Sequence, residues 1–183
     1  NWNDGEGFSP IGLTYTNVFS GSYNGQGFSI DQLFINRPDI DYQGLFGRVD
    51  GATISSVHLT NVDVTGDYCV GAIAGYYIYS SIEDCSSSGN ICGFGSAGGL
   101  VGNMSHSTMN SCSSSADIVG LEYSAGGALG SANSSSVIGV SSTGSVDAGS
   151  NAGGLIGYGM DTVVDSCFST GAVNGSGNVG GLM

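Results

Sequence analysis

The chain has 183 residues, 34 of them glycine, and carries 15 acidic residues against two arginines and no lysine. A net charge of −13 excludes nucleic-acid binding, because no cationic surface exists to displace counterions from phosphates, and it opposes docking on anionic lipid. No apolar run approaches the roughly 20 residues that a membrane-spanning helix needs, so no membrane insertion is expected.

Glycine and serine in such excess would suit a flexible linker, but the apolar residues are too regularly spaced for disorder. The first 18 residues, with Trp2, Phe8 and Ile11, show no repeat and read as an irregular first rung or a cap. The chain opens at Asn1 without a signal-type segment and stops at Met183 within a repeat, which reads as a mature product or a piece of something longer. From Phe19 a stretch leads to Ile30, Leu33 and Ile35, which match Ile54, Val57 and Leu59 at a step of 24. Residues 19–183 are therefore taken as one stack.

The repeat itself is carried by the pentapeptides at Gln43–Gly47, Gly71–Gly75, Gly98–Gly102, Gly126–Gly130 and Gly153–Gly157, at steps of 28, 27, 28 and 27, with a sixth opening at Gly180. Three further apolar series keep step with them: Ile54, Ile82, Met109, Val137 and Val164; Val57, Cys85, Cys112, Val140 and Cys167; Val64, Ile91, Ile118, Val146 and Val173. Each unit holds three short stretches rich in β-branched residues, none long enough for a helix. One such unit cannot bury its own apolar side, whereas stacked copies can. The expected fold is all-β: a right-handed parallel β-helix with three short strands per coil of 27–28 residues. Glycine is expected at corners that need a positive φ or leave no room for a Cβ.

The pattern Gly-Gly-Leu-Val-Gly, some seven residues, then Ile-x-x-Cys-x-Ser-x-Gly-x-Val resembles the GLUG-motif repeat, most closely at Val164–Val173. The lead-in over Phe19–Ile30, Leu33–Asn36 and Gly44–Gly47 is similar to that family as well. The resemblance covers roughly residues 8–183. It implies a secreted or cell-surface β-solenoid of bacterial or archaeal type, adhesin-like, and it brings no catalytic residues with it.

Candidate chemistry is sparse. The two Gly-x-Gly-x-x-Gly stretches, at Gly93–Gly98 and Gly175–Gly180, fall at a repeat turn where no helix can follow, so they do not make a dinucleotide site. His58 and His106 have no ligand-spaced partner. Asp4, Glu6, Asp39, Asp41, Glu83 and Asp84 offer oxygens, and a structural Ca²⁺ in the 37–50 loop is the one cofactor the sequence suggests. A polysaccharide-cleaving site would have to lie in the same loop, where Arg37 and Arg48 meet Asp39, Asp41 and Asp50. Cys69 and Cys92, near turns of neighbouring coils, are the candidate disulfide; Cys85, Cys112 and Cys167 share an inner column. Asn103, Asn133 and Asn174 head glycosylation sequons at expected turns. Ser86, Ser88, Ser113, Ser115, Ser141, Thr143 and Thr170 form an outward hydroxyl ladder, interrupted by Phe168. The expected role is a non-catalytic extracellular stalk, adhesin repeat or filament subunit, with other copies or further repeats as partners. A glycan- or ice-binding ladder is the alternative, and an enzyme at the 37–50 loop is the third reading.

Overall fold

A pattern repeated every 27 or 28 positions meets itself again once per coil, and the computed structural model, which describes residues 2–183, is a parallel β-solenoid of about six turns. Asn1 and the side chain of Trp2 lie outside the described residues. Every pairing between named strands is parallel, and the described residues form four sheets that serve as walls. In the coil that begins at Ala97, wall one is Ala97–Gly98, wall two Val101–Ser105 and wall three Thr108–Asn110. Wall four takes Ser113–Ser114 and Asp117–Gly120. The coil is thus divided more finely than three strands: the stretch Gly98–Gly102 spans a corner, with Gly99 and Leu100 between two strands.

The four apolar series form continuous inner columns. Ile54, Ile82, Met109, Val137 and Val164 are mutual register partners on wall three. Val64, Ile91, Ile118, Val146 and Val173 are partners on wall four. Ile73, Leu100, Ala128 and Leu155 follow one another through backbone bonds such as Leu100 N–H to Ala128 O at 2.9 Å and Ala128 N–H to Leu155 O at 2.9 Å, while Leu45 N–H reaches Ala72 O, one residue before Ile73, at 2.9 Å. Neighbouring coils lie one interstrand spacing apart, about 4.8 Å.

Two corners per coil are turned by a residue with positive φ, and most of these are not glycine. Tyr79, His106, Ser134 and Asp161 (φ 47–50°) turn between walls two and three. Ser56, Asp84, Ser111, Gly139 and Ser166 (φ 51–61°) turn between walls three and four. The next residue compensates. Ser80, Ser107 and Ser135 are buried, and each hydroxyl donates back to the carbonyl two residues earlier, at 2.6–2.7 Å. Each also accepts the backbone N–H of the previous coil, as Ser107 Oγ does from Ser80 N at 3.1 Å. At the other corner Cys85, Cys112 and Cys167 donate their thiols to the carbonyl two residues back, at 3.1–3.2 Å. Cysteine there acts as an apolar filler with a weak donor.

Glycine in the pentapeptide serves closeness rather than positive φ. A Cβ on Gly99 would run into the Ser114 side chain and the Gly127 carbonyl. The opposite wall supplies a second inner serine column. Ser87 Oγ donates to Gly99 O at 2.7 Å and Ser142 Oγ to Gly154 O at 2.5 Å, which ties these two coils across their interior. In the coil of Leu59 the equivalent pair is apolar, Leu59 with Ala72, both in the core.

The N-terminal register differs from the expected step of 24. Ile30 lies against Leu59 and Ile35 against Val64, both at a step of 29, while Tyr23 takes the place under Ile54. Seven residues separate Tyr23 from Ile30 where five separate Ile54 from Leu59, the difference being the turn around Gly25–Phe28. An aromatic ring fills the column position, so a search for aliphatic spacing misses it. Upstream, Ile11 bridges to Phe46, Phe19 to Val49 and Gly7 to Ile35, so residues 7–19 lie over the first coil.

Candidate functional site

Outward positions of the inner columns' neighbours carry the surface chemistry. On wall four the predicted ladder is two parallel columns. His58, Ser86, Ser113, Ser141 and Phe168 are register partners in one. Ser88, Ser115, Thr143 and Thr170 follow two residues on in the other. The ladder lines a shallow groove of about 410 Å³ with Thr60 at its N-terminal end. His58 Nδ1 sits 2.8 Å from Ser86 Oγ, and Ser88 Oγ accepts the Asn61 N–H at 3.2 Å. Ser113, Ser115, Thr143 and Thr170 remain exposed. His106 occupies its expected turn, with Nδ1 2.8 Å from Ser105 Oγ and its ring 5.1 Å from that of Tyr79.

The 37–50 segment does not bring its charges together. Arg37 is buried and reaches back to Glu6, Nη1 to Oε2 at 2.6 Å, rather than to a loop acid. Arg48 projects outward from Phe46–Asp50 into a cage of tyrosines, its guanidinium carbon 3.9 Å from the ring centre of Tyr15, 4.7 Å from Tyr42 and 4.8 Å from Tyr76. A guanidinium held over three ring faces is stabilised by their quadrupoles. Tyr15 and Tyr42 close the cage with a hydroxyl–hydroxyl bond of 2.9 Å, and burial first, then this bond, raises the Tyr42 phenol well above its ordinary range. Both cations expected at a cleavage site are thus engaged elsewhere. Asp39 and Asp41 lie near Asp67, whose carboxyl is raised by burial first and then by those two charges. Among the described residues no group of three or more His, Cys, Asp or Glu side chains is arranged to hold a metal ion.

All five cysteines are free thiols. Cys69 lies near Arg48 and Asp41, and burial pushes its thiol up to about 12. Cys92 borders a different groove, beside Asp67 and Phe94. Raised thiols are poor nucleophiles. The sequon asparagines lie in strands rather than turns: Asn103 and Asn133 are half-buried on wall two, Asn103 between Tyr76 and Ser131, while Asn174 is exposed on wall four.

One surface feature escaped sequence reading. Tyr68, Phe94 and Tyr123, from three successive coils, form a triangle with ring centres 5.8, 5.8 and 6.3 Å apart. They are 40%, 36% and 47% exposed. Beside them lies a groove of about 330 Å³ lined by Asp39, Asp67, Cys92 and Leu121 as well as Tyr68 and Phe94. Steps of 26 and 29 residues, off the repeat period, hid the trio.

Comparison with known proteins places this geometry. The family profile described as "The GLUG motif" matches residues 66–91, which run from the end of one wall-four strand through a full coil. The chain carries a GLUG motif in this coil. It is 44% identical over 77 residues, 40% of its length, to halomucin of Haloquadratum walsbyi. It is 39% identical over 79 residues, 39% of its length, to a Gly-rich membrane protein of Evansella cellulosilytica. The chain spans about 1% and 9% of the length of these two relatives. No solved structure matches it. Among the described residues no helix is long and apolar enough to cross a membrane.

Proposed function

We propose that the chain is a non-catalytic structural segment of a secreted or cell-surface protein, serving as stalk, adhesin repeat or filament subunit. The observation that carries this reading is the set of inner columns held in register from coil to coil, which lets length grow by adding coils without new chemistry. Further repeats or other copies are the partners that suit this architecture, since each coil pairs with the next through the same parallel registers. The similarity to halomucin and to a protein named for a membrane supports a surface location. Electron microscopy of the native protein tests it: rods lengthening by about 4.8 Å per coil are expected, and compact particles would refute it. Immunogold labelling of intact cells tests the location.

A second reading is favoured by the two hydroxyl columns, whose regular spacing along and across the wall-four groove presents repeated donors and acceptors to a glycan or an ice surface. Glycan-array binding and thermal hysteresis, both lost on replacing Ser113 and Ser115 by bulky residues, are the expected results.

A further inference from the structure

The molecule contains two aromatic trios on its outer surface, and they differ in one respect. Tyr15, Tyr42 and Tyr76 enclose the chain's own Arg48. Tyr68, Phe94 and Tyr123 enclose no cation of the chain and stand exposed beside an open groove of about 330 Å³. That volume suits one long side chain rather than a folded surface. The groove is anionic: Asp39 and Asp67 line it, and Glu122 lies close enough to act on Tyr68. Rings and carboxylates lining one groove together with the apolar Leu121 and Cys92 make a combination complementary to a flat, weakly hydrated cation on an aliphatic stem. A bare apolar patch would not need the acids, and a metal site would not need the rings.

We infer that the Tyr68–Phe94–Tyr123 groove binds an arginine side chain presented by a different protein. A second copy is a poor donor, because its only two cations, Arg37 and Arg48, are already held by Glu6 and by the first trio. The arginine stem lies along Leu121 and Cys92, its guanidinium faces Tyr68 and Phe94, and its outer N–H groups donate to Asp67 and Asp39. Burial first, then the charges of Asp41 and Asp39, raise the Asp67 carboxyl, and an incoming guanidinium would offset the repulsion among these acids.

The test is NMR titration of the whole chain, with ring-labelled Tyr and Phe, by N-acetyl-arginine N-methylamide. Shifts confined to Tyr68, Phe94 and Tyr123 are expected. N-acetyl-citrulline N-methylamide has the same shape without the charge and is expected to bind at least fivefold more weakly; equal binding overturns the proposal. Free arginine adds an α-ammonium and a carboxylate that offset each other in charge, so it is expected to bind no more tightly than the capped form; tighter binding by free arginine would assign the groove to a metabolite and overturn the protein source. A neutral disaccharide that shifts the same rings more strongly also overturns it. Phe94→Leu keeps the apolar volume and removes a ring face, and about a threefold to tenfold loss is expected, with unchanged circular dichroism. Retention of full affinity in both Phe94→Leu and Asp67→Asn would sink the assignment.

Discussion

The middle coils and the last coil of the solenoid share one sequence pattern but differ in what that pattern buries. Ile118 is 1% exposed between Ile91 and Val146. Val173 occupies the same column one coil beyond Val146, with a partner on one side only, and is half-buried. Wall two makes the same contrast: Ala132 is sealed, whereas Gly159, its register partner in the last coil, is half-buried. A solenoid core is therefore a property of neighbours, not of a coil, and the same residue type carries different weight according to whether a coil lies on both sides.

The largest expected effect follows from this contrast. Ile118→Asp places an unpaired carboxylate in a dry column and should cost several kcal/mol, enough to abolish a cooperative melt. Val173→Asp should cost on the order of 1 kcal/mol, because its side chain keeps access to water. Chemical denaturation of the two variants checks it, and equal losses would break the comparison. Appending one more coil should raise the Val173→Asp penalty towards that of Ile118→Asp.

Next in size is the serine staple. Ser142 donates to Gly154 O in a fully buried setting, so Ser142→Ala should cost about 1–3 kcal/mol by stranding a carbonyl. Gly127→Ala should be at least as damaging, since its Cβ would meet Ser142 and the Gly154 carbonyl. Ser169 is the same column in the last coil, and its hydroxyl has no hydrogen-bond partner. Ser169→Ala should therefore melt within a few tenths of a kcal/mol of the parent; a loss as large as that of Ser142→Ala would show that the staple is not what stabilises the middle coils.

The same contrast separates what was legible in the sequence from what was not. Columns such as Ile54–Ile82–Met109–Val137 could be read because stacking repeats a chemical type at a fixed step. The lead-in register could not, because Tyr23 replaces an aliphatic residue and a longer turn follows it. The inner serines were half legible: placing Ser86 and Ser88 outward turns Ser87 inward by strand alternation, but the opposing Gly99 carbonyl that takes its hydroxyl lies 12 residues on and has no sequence signal. Corner residues were misjudged because Ser80-type hydroxyls compensate a positive φ that was expected to demand glycine. The Arg48 cage draws Tyr15, Tyr42 and Tyr76 from three separate segments at no common spacing, so no periodicity could reveal it.

Corners give a smaller test. Gly139 and Ser111 hold the same left-handed corner, φ 61° and 52°. Ser111→Gly should relieve about 1–2 kcal/mol of Cβ strain and give back about 0.5–1 kcal/mol through the extra entropy lost by glycine on folding, a net gain of about 0.5–1 kcal/mol. Gly139→Ser should lose a similar amount. Opposite signs in the two melting curves are the expected result, and equal signs would mean that the corner is not strained.

The smallest effect concerns two carboxylates shifted in opposite directions. Asp117 accepts from Ser145 Oγ at 2.7 Å and from Ser145 N at 2.8 Å across neighbouring coils, and these bonds lower its pKa from 3.8. A depressed folded value means that the contribution is present above the unfolded value and is lost as pH falls through the folded one. Asp67 is raised from the same value by burial and by Asp41 and Asp39, so its charged form opposes folding, and protonation relieves that opposition as pH falls through the raised value. At neutral pH Asp117→Asn should lower the melting temperature slightly and Asp67→Asn should raise it slightly. Once the pH has fallen below the lowered folded value of Asp117 both differences should shrink, since both carboxyls are then protonated in the folded and unfolded chain alike. Asp117 is exposed and Asp67 half-buried, so added salt should diminish the Asp117 effect more than the Asp67 effect. A rise for Asp117→Asn at neutral pH would show that the coil-to-coil bonds of Ser145 do not favour the ionised form.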